Sequence, residues 1–321
     1  VEKRNIDLVW FKRDLRLSDH APLHHAIKNG HPTLLVFFLE PSLMQAAESS
    51  DRHWRFVHQS LLQMREKLQE HQHHLYVFHT EVLPSLEAIH RQFHIRRIYS
   101  YEESGLSITY ERDKAVARFC RTESIYWQEF QNNGVIRGLT NRDQWVEKWH
   151  EFMQASEDDV RLRKLHSFQL PASFLEHHSG PPLSENITRH NRQFQPGGSR
   201  YALRYLNSFM LERADAYSRH ISKPVAARRS CSRLSPYLAW GNLSVRQVFQ
   251  ATEAYMAWVP HRKELKNFGS RLRWHCHFIQ KFEMECRIEH EHFNRVFDSI
   301  RTEKDQRLWQ AWQLGQTGYP L

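Results

Sequence analysis

Residues 228–248, RRSCSRLSPYLAWGNLSVRQV, gather arginines, four serines and a cysteine around the starts of two short helical segments. Ser235 before Pro236 reads as an N-cap with proline at the first helical position, and Gly241 reads as the stop. Ser244, with Gln247 three residues on, reads as a capping box opening the next helix. One helix needs one cap, so the remaining hydroxyls and Arg233 invite a second reading. Free backbone N–H groups, the positive helix end, Ser232 and Arg233 could converge on a phosphate. A polar loop between helices accounts for the same residues. The sequence leaves both readings open, and does not decide whether Arg233 points at such a site or packs into the protein. A second group lies within 264–286, where Leu265, Phe268, Leu272, Cys276, Ile279, Phe282 and Cys286 recur as a helical core face. Beside it runs a stripe of Arg271, Trp274, His275 and Phe278, which could line a cleft or form a partly exposed helix flank.

Other chemistries lack their residues. No G-x-G-x-x-G or G-K-[ST] follows the first apolar run, so the usual dinucleotide and P-loop phosphate sites are missing. That turn instead reads FKRDLRLSDH, and Arg13, Asp14 and Arg16 in it read as an ion-pair network holding the loop. Cys120, Cys231, Cys276 and Cys286 form no C-x-x-C pair, and the adjacent pairs His24-His25, His73-His74 and His177-His178 lack metal-ligand spacing. No metal site is expected.

The elements that position these residues fall into three stretches. Apolar runs at Ile6–Phe11, Thr33–Leu39, Leu75–Phe78, Arg97–Tyr101 and Ile125–Phe130 read as strands. Helical patterns lie between them at Asp19–Lys28, Asp51–Glu70, Leu83–Phe93 and Thr109–Cys120. This alternation predicts an α/β domain over 1–131 with a doubly wound, five-stranded parallel sheet. Residues 132–198, with HHSGPP and PGGS, read as a long connector. From Ser199 the pattern is helical only: Ala202, Leu203, Leu206, Phe209 and Met210 line a helix running to about Tyr217. The expected fold is therefore α/β followed by an all-α domain over 199–321.

The chain has 321 residues, enough for about two domains, with 40% hydrophobic and 25% charged residues. Its formal charge of +9 favours a polyanionic partner such as nucleic acid. Most of the ten tryptophans are expected in cores. The longest apolar run, Leu34–Leu39, is too short to span a bilayer, and no leader precedes it, so the expectation is a cytoplasmic protein with no membrane partner.

Taken together, three segments resemble the DNA photolyases and cryptochromes. VWFKRDLRLSDHAPLHHAI at 9–27 resembles the family's opening signature. SRLSPYLAWGNLSVRQV at 232–248 resembles its flavin-phosphate segment, and LWQAWQLGQTGYP at 308–320 its W-x-x-G-x-T-G-x-P segment. The resemblance covers roughly 6–150 and 199–320. It implies an α/β antenna domain and a helical FAD-binding domain, with the hydroxyl-rich run holding the FAD pyrophosphate. Carried over by position, Ser232, Arg233, Leu234 and Ser235 match the phosphate-binding run, and Cys231 replaces its usual threonine. Tyr217 stands near the family's flavin-side tyrosine. Many members have W-x-x-E-x-x-W-R in the long helix. Here Phe268 takes the first tryptophan, Arg271 the glutamate, Trp274 the second tryptophan and His275 the arginine. The implied cofactor contacts are thus Tyr217, Cys231–Ser235, Arg271, His275 and Phe278, and the implied lesion contacts are Phe268, Arg271 and Trp274. The family continues beyond the T-G-x-P segment with further flavin contacts, so a chain from Val1 to Leu321 reads as a fragment with an incomplete FAD-binding domain.

The resemblance implies light-driven repair. Reduced FAD would pass an electron to a pyrimidine dimer flipped out of DNA and recover it after ring cleavage. A second antenna chromophore of unidentified type and a monomeric state are also expected. The rival reading is a cryptochrome photoreceptor without repair, which the arginine at 271 favours. A nucleotide-binding α/β protein without photochemistry would leave 199–320 unexplained.

Overall fold

Runs rich in β-branched and aromatic residues form five strands: β1 (Asn5–Phe11), β2 (Thr33–Phe38), β3 (Leu75–Phe78), β4 (His94–Tyr101) and β5 (Tyr126–Phe130). All pair in parallel, in the order β3-β2-β1-β4-β5. The chain builds outward from β1 to β3, then returns to place β4 on the other side of β1. That reversal makes the sheet doubly wound, with its crevice at the carboxyl ends of β1 and β4. Successive residues of β1 serve opposite cores: Ile6, Leu8 and Trp10 pack on one face, Val9 and Phe11 on the other. The computed structural model describes residues 3–300 and 303–319.

The helices over Ala21–Asn29, Asp51–Gln69, Val82–Gln92 and Ser107–Thr122 cover the sheet, close to their expected bounds. Among the described residues no strand follows Phe130. The stretch 132–198 is less of a free connector than its composition suggests. Its helix Trp145–Gln154 buries Trp145, Trp149 and Met153 in the helical core, while Phe168, Leu170 and Phe174 pack on the sheet. By its internal packing the chain divides into compact units at 1–284 and 285–321. The second unit holds a helix over Gln306–Gln313, capped by Asp305, whose side chain accepts from the Arg307 and Leu308 amides. Trp309 and Trp312 stack in it at 5.2 Å. Pro320, the last residue of the W-x-x-G-x-T-G-x-P segment, lies outside the described residues.

Four local expectations need correction. The helix from Ser199 ends at Ser208 and passes into a π turn over Phe209–Arg213, because Arg213 turns back and takes the Tyr205 carbonyl at 2.9 Å. Leu203 lies off the buried Ala202–Leu206 face and is 46% exposed. Ser235 is the first residue of helix Ser235–Ala239, not its cap; Leu234 precedes it and no side chain caps that end. Cys286 follows the helix Arg262–Met284 and is exposed. By contrast, the Ser244–Gln247 capping box is present on helix Val245–Met256.

The FKRDLRLSDH loop docks on the stretch 240–246. Gly241, at φ +66, has no room for a Cβ against the Arg13 carbonyl. The Leu15 amide donates to the Trp240 carbonyl at 2.9 Å, and Asn242 returns a bond to the Leu15 carbonyl at 2.9 Å. Asp14 receives the Lys12 amide and His20 Nε2; since His20 Nδ1 accepts from the Leu23 amide, Nε2 carries the proton and the buried ring is neutral. Asp19 closes the joint. It accepts from Arg246, from Ser244 Oγ at 2.5 Å and from the Asp158 amide at 3.0 Å. Burial would raise this carboxyl, but Arg246 and Ser244 outweigh it and hold it below its ordinary range. Its contribution is therefore present above the ordinary carboxylate range and lost as pH falls through the depressed value. Asp19→Ala is expected to cost about 3 kcal/mol in urea unfolding at neutral pH, with a flatter acid limb than wild type. A loss under about 1 kcal/mol would show that Asp158 alone satisfies Arg246.

Candidate functional site

The carboxyl ends of the strands carry charge into the crevice. Lys12 follows β1, Glu40 follows β2, Glu102 and Glu103 follow β4, and the helix Ser107–Thr122 brings Arg112 and Asp113 over them. Arg112 meets Glu40 at 2.7 Å, Glu103 at 2.7 Å and Asp113 at 2.8 Å. Lys12 meets Asp113 at 2.9 Å, and Arg13 meets Glu103 at 3.2 Å. Glu40 pairs with Arg112, whereas Glu103 pairs with both Arg112 and Arg13, and these two carboxyls separate accordingly. Burial pushes Glu40 up to about 7 despite Arg112. Burial also acts on Glu103, but Arg112, Arg13 and Lys12 outweigh it and hold that group at about 2. Beside this cluster opens a cavity of about 730 Å³, walled by Trp10, Phe38, Trp54, Leu106 and Trp240 and reached by Ser235. The cations Lys12 and Arg112 sit 4.4 and 4.9 Å from the Trp10 ring.

The hydroxyl-rich run lies on the helical side. Arg233 occupies the left-handed region at φ +59, and its guanidinium donates to Gln195 Oε1 while Gln195 returns a bond to the Arg233 carbonyl. Arg213 supports the run from beneath by donating to the Cys231 and Ser232 carbonyls. Ser232 Oγ accepts the Leu234 amide at 3.4 Å. Leu234 is buried in the core, and Ser235 is among the residues lining the 730 Å³ cavity. Tyr217 is buried between the Phe209 and Phe268 rings, 5.5 and 5.9 Å away, and burial pushes its phenol up to about 12.

On helix Arg262–Met284 the expected residues part company. Phe268 is only 4% exposed, so it is a core residue and not an open lesion contact. Trp274 and Phe278 are 48% and 57% exposed, 5.7 Å apart, and Arg271 lies 5.3 Å over the Trp274 ring. His275 points the other way, into a 260 Å³ cavity shared with Lys12, Arg13 and Leu238, and burial holds its imidazole below the ordinary range. The stripe predicted from the sequence is thus Arg271, Trp274 and Phe278, without His275.

Comparison with known proteins agrees with this architecture. The family model for DNA photolyase matches residues 7–146, and that for the FAD binding domain of DNA photolyase matches residues 268–321. The chain belongs to the photolyase/cryptochrome family. It is 22% identical over 347 residues to a deoxyribodipyrimidine photo-lyase of Alkalihalophilus pseudofirmus, covering 99% of this chain and 67% of the relative. The cryptochrome of Synechocystis shares its fold with a TM-score of 0.78 at 20% identity, over 100% of this chain and 70% of the other. An archaeal photolyase from Sulfolobus tokodaii, solved with two FAD molecules, gives a TM-score of 0.71 at 20% identity, over 98% of this chain and 68% of the other. The chain therefore spans about two thirds of the length of these relatives.

The donor set of this family member suits a flavin pyrophosphate in one respect. The helix at Ser235 lacks a side-chain cap, and the Ser235 hydroxyl engages no other group among the described residues. Sequence reasoning missed Arg213 and Gln195, which have no motif, and the Glu40–Glu103–Arg112 cluster. The latter had a signal: an acid directly follows the β2 run at Glu40, and two follow β4. Since Glu40 ionises late in the folded state, its proton is lost at higher pH than in the unfolded chain. Folding stability should fall as pH rises from about 5 to 8, and Glu40→Gln should gain on the order of 2 kcal/mol relative to wild type across that window. Melting temperatures at both ends test this; an equal difference at each pH would contradict it.

Proposed function

We propose that this protein is a blue-light-driven flavoenzyme that repairs pyrimidine dimers in DNA, working as a monomer. The observation that carries the reading is one face of helix Arg262–Met284. By helical spacing Lys263, Lys266, Arg271, Trp274 and Phe278 fall on a single side, away from buried Leu265, Leu272 and Cys276. Near its N-terminal half, Arg219, Lys223, Arg228 and Arg229 are exposed, with no carboxylate within 4.0 Å among the described residues. A face of cations without close ion pairs, beside exposed aromatics, suits a strand whose phosphates are held while one base is turned out. Trp274 would stack that base, and the cations would fix its register.

Ser232, Ser235 and the amides of the run would hold the FAD pyrophosphate, with Arg213 fixing the loop through its carbonyls. When bound there, reduced flavin would supply light-driven electron transfer without net oxidation. A second, antenna chromophore is part of the same reading. That the archaeal relative was solved with two FAD molecules supports a second planar group. A photoreceptor without repair remains the second reading, favoured by Arg271 where many members have glutamate. Loss of dimers from an irradiated oligonucleotide under blue light would support repair; a flavin spectrum with no such loss would support signalling.

Ser235→Ala should lower flavin content while leaving the melting temperature nearly unchanged, because Ser235 caps nothing in this structure. Unchanged flavin occupancy would remove the phosphate role. DNA affinity should fall steeply between low and moderate salt. The combined change Lys223→Glu, Arg228→Glu and Arg229→Glu should weaken binding at least about tenfold and flatten the salt slope. A flat response in the wild type would exclude DNA as the partner.

A further inference from the structure

A separate groove of about 1020 Å³ opens between helix Asp51–Gln69, the turn at 160–164 and the start of helix Ser199–Ser208. Its floor is aliphatic, with Leu17, Met64, Leu162 and Leu203. Leu203 is the residue that the helical periodicity assigned to the core and that the structure leaves half-exposed. The rim is basic, with Lys67, Arg161, Arg163, Lys164 and Arg200. Three of these have partners: Lys67 with Glu70 at 2.6 Å, Arg161 with Asp159 at 2.6 Å, and Arg200 with Glu66 at 2.8 Å. Every side chain in these pairs is more than half exposed, so the pairs contribute little and can exchange partners. Arg163 and Lys164 have no carboxylate within 4.0 Å among the described residues.

We propose that this groove binds an acidic, leucine-bearing peptide segment of a partner protein. Carboxylates would meet Arg163 and Lys164 and draw the exposed pairs toward them, while aliphatic side chains cover the floor. The alternatives fit less well. A bilayer surface is too flat to reach a concave floor. A nucleic acid would leave that floor uncovered, and no Trp, Tyr or Phe lines the groove to stack a base. Helix Asp51–Gln69 contributes Gln63, Met64, Glu66 and Lys67, and Glu70 follows at its end, so the groove runs along about two helical turns, a length suited to a short amphipathic helix.

The test is fluorescence anisotropy on the purified protein with a labelled helical peptide of glutamates and leucines. Polyglutamate of equal charge and an oligothymidine serve as competing probes. The leucine-bearing peptide should bind at least about tenfold tighter than polyglutamate. Binding should fall about tenfold in Leu203→Asp and again in Arg163→Glu with Lys164→Glu, while oligothymidine binding stays at the wild-type level. Circular dichroism would confirm folding, with Leu203→Ser as the milder replacement. Equal affinity for both peptides, or indifference to the Leu203 changes, would overturn the proposal. So would tighter oligothymidine binding that the Arg163/Lys164 variant abolishes, or self-association of the protein that the same variant abolishes.

Discussion

The buried Asp19 carboxylate joins three segments that lie far apart in the chain. It stands on the loop after β1 and accepts at once from the Asp158 amide and from Ser244 and Arg246 at the start of a helix. A buried carboxylate costs several kcal/mol unless each lone pair finds a donor, so the three segments must arrive in one geometry. Arg16 repeats the constraint from the same loop, donating to the Asp19 carbonyl, the Gly241 carbonyl and the Tyr101 hydroxyl. The sheet and the helices between Ser199 and Met284 are therefore fixed relative to each other by polar groups and not by apolar burial alone. That rigidity places Ser235 and Trp240 on the wall of a cavity whose other walls come from the strand ends, from helix Asp51–Gln69 and from helix Ser107–Thr122.

The same loop explains the charge at the strand ends. Lys12 and Arg13 emerge from β1 into a crevice where Glu40, Glu103 and Asp113 converge on Arg112. Burial raises the Glu40 carboxyl to about 7, outweighing the Arg112 attraction that lowers it. A group near neutrality with aromatic walls beside it offers a donor or an acceptor according to pH. Arg112 and Lys12, both close to the Trp10 ring, retain fixed charge on the same wall.

The strand pattern was legible because β1 and β2 are buried on both faces and read as unbroken apolar runs. The capping box at Ser244 was legible because it depends on two side chains at fixed spacing. What escaped were long-range polar bonds. Arg16, Asp19 and Arg246 look like ordinary charged residues until residues more than two hundred positions apart meet. Ser235 was misread as a cap because Ser-Pro normally marks one, whereas here the chain enters the helix through Leu234 in a helical conformation. The π turn at Phe209–Arg213 was invisible for a similar reason: it exists because Arg213 takes carbonyls from a distant loop as well as from its own helix.

Arg271 bears most directly on what the exposed face of helix Arg262–Met284 can recognise. A carboxylate at that position could accept a hydrogen bond from a base; a guanidinium can only donate, through a planar fork that suits carbonyl or phosphate oxygens. It also lies 5.3 Å over the Trp274 ring, so one face of the indole is already in contact with a cation. The opposite face and the Phe278 ring are left for a stacked base. On the proposed reading, selectivity then rests on oxygen acceptors at the rim of the lesion together with single-faced stacking. The ring N–H groups that an acid would read would go unread, which separates this chain from members that keep glutamate there.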